Sequence, residues 1–146
     1  MKRFYILLVF ITLGMMANAQ SFQVRVVKIS DGDTFTAINR DNLQMKFRIY
    51  GIDAPEKKQA FGTKSREYLS SLIFGKTVTV DVQSQDAWGR YKKDVSLEML
   101  KAGMAWHFSK YDDTLEYQEA EVNSRIRKIG LWADPHRIAP WDFRKK

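Results

Sequence analysis

The sequence predicts an α+β domain, because β-rich runs and helical patterns occupy separate parts of the chain. Three β-rich runs precede the first helical pattern, a fourth follows it, and two further helical patterns lie towards the C-terminus. This order is that of the OB-fold, a five-stranded barrel that often binds nucleic acids or sugars. We therefore expect one domain over residues 20–146, a five-stranded barrel with about three helices.

The four β-rich runs cover residues 23–29, 34–39, 44–49 and 76–84. In the third run apolar and polar residues alternate, so that Phe47 lies on the apolar face and Arg48 on the opposite face. The fourth run alternates valines with polar residues in the same way. We expect these runs to be strands, with Arg48 directed away from the core and available to a ligand.

Two helical patterns follow the third and fourth runs. The first carries apolar residues at helical spacing between Phe61 and Ile73, with Thr63 as a candidate cap and Gly75 beyond its end. The second covers residues 96–102 and closes with a glycine. Both have the lengths and end signals of helices.

A third helical pattern covers residues 113–129 and also ends before a glycine. Asp113 and Glu116 have the spacing of a capping box. Apolar residues form one stripe of the kind that a helix turns towards a core. The stripe consists of Leu115, Val122, Ile126 and Ile129.

The first 19 residues have the three parts of an export signal. Lys2 and Arg3 precede an apolar run over residues 4–16, and Ala17-Asn18-Ala19 follows as a small-residue cleavage site. The run is shorter than the roughly 20 apolar residues that cross a bilayer, which argues against a retained membrane anchor. We expect cleavage after Ala19, a secreted or periplasmic protein, and no stable membrane association after cleavage.

The chain is basic and contains no cysteine, with 24 Lys and Arg against 17 Asp and Glu. Without the signal segment the net charge falls from +7 to +5, because Lys2 and Arg3 are lost. A basic excess favours a polyanionic partner, although charge alone proves none. The absence of cysteine excludes a disulfide framework, so the domain has to rely on its core.

Carboxylates concentrate in two segments that we expect to be exposed turns, Asp31-Gly32-Asp33-Thr34 and Asp53-Ala54-Pro55-Glu56. Each segment alone is also explained as a turn, since Asp-Gly favours a hairpin and a proline breaks a strand. Together with Arg48, the three carboxylates of Asp33, Asp53 and Glu56 suit a metal-assisted cleavage of phosphodiesters. Hard oxygen ligands of this kind favour Ca²⁺ or Mg²⁺.

Several motifs, taken in this order, resemble those of the staphylococcal nuclease family. They are Asp31-Gly32-Asp33-Thr34, the run over residues 47–56, Ala60-Phe61-Gly62, Asp86-Ala87-Trp88-Gly89-Arg90, the run over residues 100–106, the run over residues 130–135 and Pro140-Trp141-Asp142-Phe143-Arg144. The resemblance covers almost the whole chain after the signal segment.

The resemblance implies a role for each site residue. The positions matching Asp33 and Asp53, with the backbone carbonyl of Ala54, hold one Ca²⁺ in the family. Glu56 matches the carboxylate described as general base, whether it removes a proton from the attacking water or orients that water. Arg48 and Arg90 match two arginines that bind the phosphate, for which planar and permanently charged forks are suited.

Aromatic residues give two further candidates for substrate binding. Trp88 matches a residue that contacts the substrate base, and stacking and plain packing both stay open for it. Tyr111 is a second candidate for lining the nucleotide pocket. The other tryptophans after the signal segment are expected to pack in the core. They are Trp106, Trp132 and Trp141.

Two further groups are expected to be structural or solvated. His107 and His136 lack the spacing of metal ligands, which favours structural roles for both. The tail Arg144-Lys145-Lys146 is expected to be solvated basic surface with a secondary part in holding nucleic acid.

The chain departs from the family pattern in two places. Ala87 stands where relatives often carry Lys or Arg, which predicts weaker phosphate binding. A strand and turn that follow the position of Arg90 in most relatives are missing here. We therefore expect a truncated fifth strand and unprotected sheet edges.

The resemblance implies a Ca²⁺-dependent nuclease that hydrolyses DNA and RNA with little sequence preference and leaves 3′-phosphate ends. With the signal segment, we expect this nuclease to be exported, and we expect a monomer. A catalytically weak nucleic-acid-binding module on the same scaffold is the first alternative. A surface or interaction protein with no nucleic-acid role is the second.

Overall fold

The computed structural model describes residues 20–82, 87–90 and 94–146, with the backbone alone described at residues 20, 82 and 87–90. The predicted signal peptide, residues 1–19, therefore lies outside the described residues. The same holds for residues 83–86, for residues 91–93, where the sequence predicts that the family's additional strand is missing, and for the side chains of Trp88 and Arg90.

The described residues form seven strands, of which the longest match the four predicted runs. They are β1 (Gln20–Asp31), β2 (Thr34–Ile38), β3 (Gln44–Arg48), β4 (Ile52–Asp53), β5 (Thr77–Val82), β6 (Ala87–Arg90) and β7 (Trp106–His107). The α+β class is confirmed. The predicted ends of the strands were displaced by a few residues, most at β1, which is 12 residues long.

Five strands form one antiparallel sheet in the order β3-β2-β1-β5-β6. The edge strands β3 and β6 come within 8 Å of each other between Cα atoms, but no ladder joins them in the described part of the chain. The sheet is therefore open here, and the closed barrel is not found. In the described residues β6 pairs with β5 alone, along the stretch Thr79–Val82.

Three helices of two or more turns pack in succession, the first on this sheet, the second on the first and the third on the second, and two shorter helices follow. They are α1 (Gly62–Ile73), α2 (Val95–Lys101), α3 (Leu115–Ile126), a 3-10 helix (Gly130–Ala133) and α4 (Pro140–Phe143). None of the helices in the described residues is long and apolar enough to cross a membrane.

At the ends of α1 and α2, the capping residues in the structure can be compared with those predicted from the sequence. Thr63 lies inside α1, and the residue before the helix is Phe61, in the left-handed conformation at φ 66°. Asp94 caps α2 by accepting a hydrogen bond from the Leu97 amide at 3.2 Å. Gly103 follows α2 with a φ of 62°, a conformation that favours glycine.

The buried face of α3 is not the predicted apolar stripe. Leu115 and Ile126 are exposed, the latter to 73%, while Tyr117 and Ser124 face the interior. Polar anchors explain the difference: the Tyr117 hydroxyl donates to Asp94 at 2.6 Å, and the Ser124 hydroxyl donates to the Leu100 carbonyl at 2.7 Å. The predicted capping box is also absent, since the residue before α3 is Thr114 and makes no side-chain capping bond.

The core lies between the inner face of the sheet and the buried faces of α1 and α2. Phe35 and Phe47 stack with ring centroids 5.2 Å apart, and Leu69 and Met99 come from the two helices. The predicted alternation in β3 is confirmed, because Phe47 is buried and Arg48 is exposed. The face of β3 that carries Arg48 therefore lies outside the core, where it can contribute to a functional site.

A small second sheet connects this core to the C-terminal segment. β4 pairs with β7, so that Asp53 lies opposite Trp106. Trp141 of α4 packs against the ring of Trp106 at 5.6 Å and stacks on Phe108 at 5.5 Å. The last residues of the chain are therefore held beside β4, where the second acidic segment begins.

Candidate active site

Asp33 lies in the turn between β1 and β2 and is only 5% exposed. Its carboxylate accepts hydrogen bonds from the Ala54 amide and the Thr34 hydroxyl, both at 2.9 Å. The turn packs closely on the molecule, since a Cβ at Gly32 would lie 1.9 Å from Ser65 Oγ and 2.8 Å from Ala54 Cβ. The sequence had suggested an exposed turn, which is wrong, because this close packing removes the carboxylate from water.

The burial of Asp33 changes its proton affinity. Desolvation raises the pKa of its carboxyl from 3.8 to about 7, against the lowering effect of Arg48 and with a smaller raising effect of Asp31. In the absence of a metal ion, the carboxyl of Asp33 therefore holds its proton up to near-neutral pH.

Asp53 ends β4 and has no exposed surface. Two guanidinium groups compensate its buried charge. Arg48 donates to Asp53 Oδ1 at 3.2 Å, and Arg144 forms a fork with bonds of 3.0 Å to Oδ1 and 2.7 Å to Oδ2. The expectation of an exposed carboxylate is wrong here as well, because β4 is covered by the C-terminal segment.

Arg48 connects the two buried aspartates. Its Nη2 lies 3.5 Å from Asp33 Oδ2 and 3.2 Å from Asp53 Oδ1, while its side chain remains 45% exposed. Because β3 pairs with β2 so that Arg48 lies opposite Thr34, its side chain emerges beside the Asp33 turn. The structure thus brings together three residues that the sequence analysis had placed in one site. Asp33, Asp53 and Arg48 together form the acidic cluster.

Glu56 lies at the rim of the acidic cluster and is partly exposed. Its carboxylate accepts a hydrogen bond from Arg144 Nη1 at 2.8 Å. Its backbone amide donates to the Gln59 side chain at 3.1 Å, which fixes the segment after Pro55. Glu56 therefore joins Asp53 through a shared arginine.

Arg144 is the site residue that the sequence analysis missed. It was assigned to solvated tail surface with Lys145 and Lys146, yet its side chain is 39% exposed and bonds to two of the three predicted carboxylates. The partners are 91 and 88 positions apart in the chain, and no periodic signal links them. The only available hint was the motif Pro140-Trp141-Asp142-Phe143-Arg144 itself.

For the remaining predicted site residues, the structure shows no side-chain contact with the acidic cluster among the described residues. Arg90 and Trp88 lie on β6 and pair through the backbone with Thr79 and Asp81, so their strand is known while their side chains lie outside the description. Tyr111 is exposed and its ring contacts Phe108 at 4.9 Å between centroids. Among the described residues, no hydrogen bond or ring contact joins Tyr111 to the acidic cluster.

The other aromatic and histidine residues have structural contacts. Trp106 and Trp132 pack edge to face at 4.4 Å, and Arg125 lies over both rings. His107 is buried and bonded to Asp112 at 2.8 Å. Although burial raises the pKa of Asp112, hydrogen bonds, including those from Thr114 and His107, bring it below its ordinary value.

The donors of the cluster fit a hard divalent cation in part. Asp33 and Asp53 are both in contact with one cationic nitrogen of Arg48, so a single small cation can reach both carboxylates. In the described residues, no group of three or more acidic, histidine or cysteine side chains is arranged to hold a metal ion. Further ligands would have to be oxygens of another kind, such as the Ala54 carbonyl or water.

Comparison with known proteins places this geometry in a family context. Residues 46–134 match the model of the family described as staphylococcal nuclease homologue. A protein named uncharacterized endonuclease from Haemophilus influenzae is 40% identical over 97% of this chain and 83% of its own length. One of the same name from Escherichia coli is 36% identical over 84% of each chain. Staphylococcal-like nuclease CAN1 from Arabidopsis thaliana is 36% identical over 73% of this chain and 36% of its own length.

Proposed function

The chain belongs to the staphylococcal nuclease homologue family, and from this membership we propose that it is an exported, Ca²⁺-dependent nuclease that hydrolyses DNA and RNA with little sequence preference. The observation that carries the proposal is the cluster in which Arg48 contacts both buried aspartates, with Glu56 at its rim. Acids alone would repel a polyanion, whereas this cluster combines carboxylates with exposed guanidinium donors.

In the proposed reaction, Asp33 and Asp53 hold Ca²⁺ together with the backbone carbonyl of Ala54. When bound, the ion supplies a Lewis acid for the scissile phosphate and a position for the attacking water. The burial of both carboxylates strengthens their attraction for a cation, because little water competes with it.

Glu56 acts on the water, either as general base or by orienting it. Its partial exposure supports this role, because its carboxylate is accessible to solvent. Arg48 donates to phosphate oxygens that gain negative charge in the transition state, and its half-exposed guanidinium has room for them.

Arg90, Trp88 and Tyr111 complete the proposed site, Arg90 on the phosphate and the two aromatic residues against the base. The approach of β6 to β3 supports this assignment for Arg90, since Arg48 lies on β3. The order of the strands and the approach of β6 to β3 also support an OB-fold topology for the sheet. We further propose a monomer, 3′-phosphate products, and export by a signal peptide cleaved after Ala19.

The test is cleavage of single-stranded DNA and of RNA by the purified protein with Ca²⁺ and with a chelator. Cleavage is expected with Ca²⁺ alone. Asp53→Asn should abolish it, whereas the control Asp113→Asn, an exposed aspartate before α3, should retain it. Ca²⁺-independent cleavage, or full activity of Asp53→Asn, would overturn the proposal.

One observation favours a second candidate, a catalytically weak nucleic-acid-binding module. The fork of Arg144 occupies both oxygens of Asp53, which is a predicted metal ligand. A protein of this kind would shift DNA in a salt-dependent manner without cleaving it in Ca²⁺.

A further inference from the structure

The C-terminal segment beyond residue 134 lies outside the part of the chain that matches the family model, yet it ends in the acidic cluster. Arg144 follows α4 and places its guanidinium on Asp53 and Glu56. Neighbouring Lys145 bonds instead to Asp142 of its own helix at 2.8 Å. Contact with the cluster is thus a property of Arg144 and not of the basic tail as a whole.

The position of Arg144 is built by several independent contacts. Trp141, one turn before it, is packed against Trp106 and Phe108. The Gln59 side chain donates to the Ile138 carbonyl and accepts from the Glu56 amide, which ties the tail to the segment that carries Glu56. The tail therefore approaches the site along a fixed path.

The guanidinium of Arg144 meets the two carboxylates with three hydrogen bonds to described residues, two from Nη1 and one from Nη2. A guanidinium has five N–H donors, so others are left for further acceptors. Its side chain is 39% exposed, so an anion can approach it from solvent. Arg144 can therefore keep its bond to Glu56 and bind an anion at the same time.

Both oxygens of Asp53 are occupied by cationic groups, and a cation that binds Asp53 has to take the place of the Arg144 fork. The displaced guanidinium would lie beside that cation and beside Glu56. In a nuclease, this is where the negative oxygens of the scissile phosphate are held.

We propose that Arg144 is an additional phosphate-binding residue of this site, which holds Asp53 and Glu56 in the metal-free protein and turns to the substrate phosphate once a divalent cation binds Asp53. The proposal rests on the proposed function for its substrate, a nucleic acid. It adds a residue from outside the matched part of the chain to the two arginines already assigned.

The test uses Arg144→Gln, with Lys145→Gln as a control that removes the same charge one residue away, from a side chain bonded to Asp142 and not to Asp53 or Glu56. Ca²⁺ affinity is measured by titration calorimetry without nucleic acid, and kcat/KM is measured on a single-stranded oligodeoxynucleotide at saturating Ca²⁺. Thermal melting in Ca²⁺ verifies that each variant is folded.

We expect opposite effects of Arg144→Gln on the two quantities, relative to Lys145→Gln. Ca²⁺ should bind at least about threefold tighter, because its competitor for Asp53 is gone. At the same time kcat/KM should fall at least about tenfold, because a phosphate donor is lost. For both quantities, Arg144→Lys should give values between those of the parent and Arg144→Gln, since lysine keeps the charge without the fork.

Three results would overturn the proposal. Tighter Ca²⁺ binding with faster cleavage would make Arg144 an inhibitory contact only, and weaker Ca²⁺ binding with slower cleavage would make it a structural support. Equal Ca²⁺ affinity and equal kcat/KM of the two Gln variants would show that Arg144 is a surface residue with no role in the site. If the parent protein does not cleave at all, the proposed nuclease function fails. The role of Arg144 is then tested by Ca²⁺ affinity and by binding of the intact oligonucleotide in Ca²⁺. Arg144→Gln should weaken this oligonucleotide binding.

Discussion

Asp33 and Asp53 are both buried, but different groups compensate their charges. Asp53 has two guanidinium partners, whereas Asp33 receives neutral donors and a longer contact with Arg48. A buried carboxylate with few charged partners is the more costly of the two, which accounts for the raised pKa of Asp33. The charge of Asp33 therefore depends on pH near neutrality in the metal-free protein.

The raised pKa of Asp33 predicts that the metal-free protein loses stability as the pH rises from about 4 to about 7. The native carboxyl binds its proton more tightly than the unfolded one, so its contribution is fully present below the unfolded pKa of 3.8 and lost as the pH passes about 7. Between about pH 5 and pH 8 this amounts to a loss on the order of 2 kcal/mol.

The measurement is urea unfolding in chelator at those two pH values, for the parent and for Asp33→Asn. The parent should lose more stability than the variant, because the amide that replaces the carboxyl has no proton to release. Equal losses in both proteins would show that Asp33 titrates in its ordinary range.

Arg48 offers a second prediction at the scale of one residue. Arg48→Lys should lower kcat at least about 10²-fold, because a lysine cannot contact both aspartates and the phosphate through one planar fork. Arg40→Lys, an exposed arginine between β2 and β3, is the matched control and should keep the parent rate. Steady-state cleavage of an oligonucleotide measures both variants, and equal rates would remove Arg48 from the reaction.

At the scale of elements, the site depends on how closely the β1–β2 turn packs against α1 and β4. Gly32→Ala should destabilise the protein by about 1 to 3 kcal/mol, because its Cβ would overlap Ser65 and Ala54. It should also slow cleavage by moving Asp33. Gly75→Ala is the control, since a Cβ there meets nothing within 4 Å and carries only the strain of its φ of 73°. Thermal melting that ranks Gly75→Ala as the more damaging change would contradict this packing.

The strands show what periodicity can predict. Alternation in β3 correctly separated Phe47 from Arg48, because a period of two fixes which side chains share a face. In α3 the pattern failed, because a helix offers several faces and polar anchors at Tyr117 and Ser124 selected a different one. The spacing of apolar residues alone does not predict such hydrogen bonds.

At the scale of the whole molecule, the sequence predicted the α+β class and the meeting of Asp33, Asp53 and Arg48, since turns at strand ends bring these residues to one edge. It did not predict the burial of the two aspartates. The burial of Asp33 requires knowing that its turn packs on Ser65 and Ala54, and that of Asp53 requires knowing that the tail covers β4. The contacts of Arg144 were missed for the same reason: they arise from packing between Trp141 and β7, far apart in sequence.

In the proposed reaction Asp33 holds the cation while Glu56 acts on the water, and the most direct test of these two roles is the cleavage rate as a function of Ca²⁺ concentration. Asp33→Asn should raise the Ca²⁺ concentration needed for half-maximal rate at least about tenfold, because one ligand loses its charge. Glu56→Gln should lower the maximal rate at least about 10²-fold with a much smaller change in the Ca²⁺ midpoint. The account would be contradicted if the parent rate did not depend on Ca²⁺, or if Asp33→Asn lowered the maximal rate and left the midpoint unchanged.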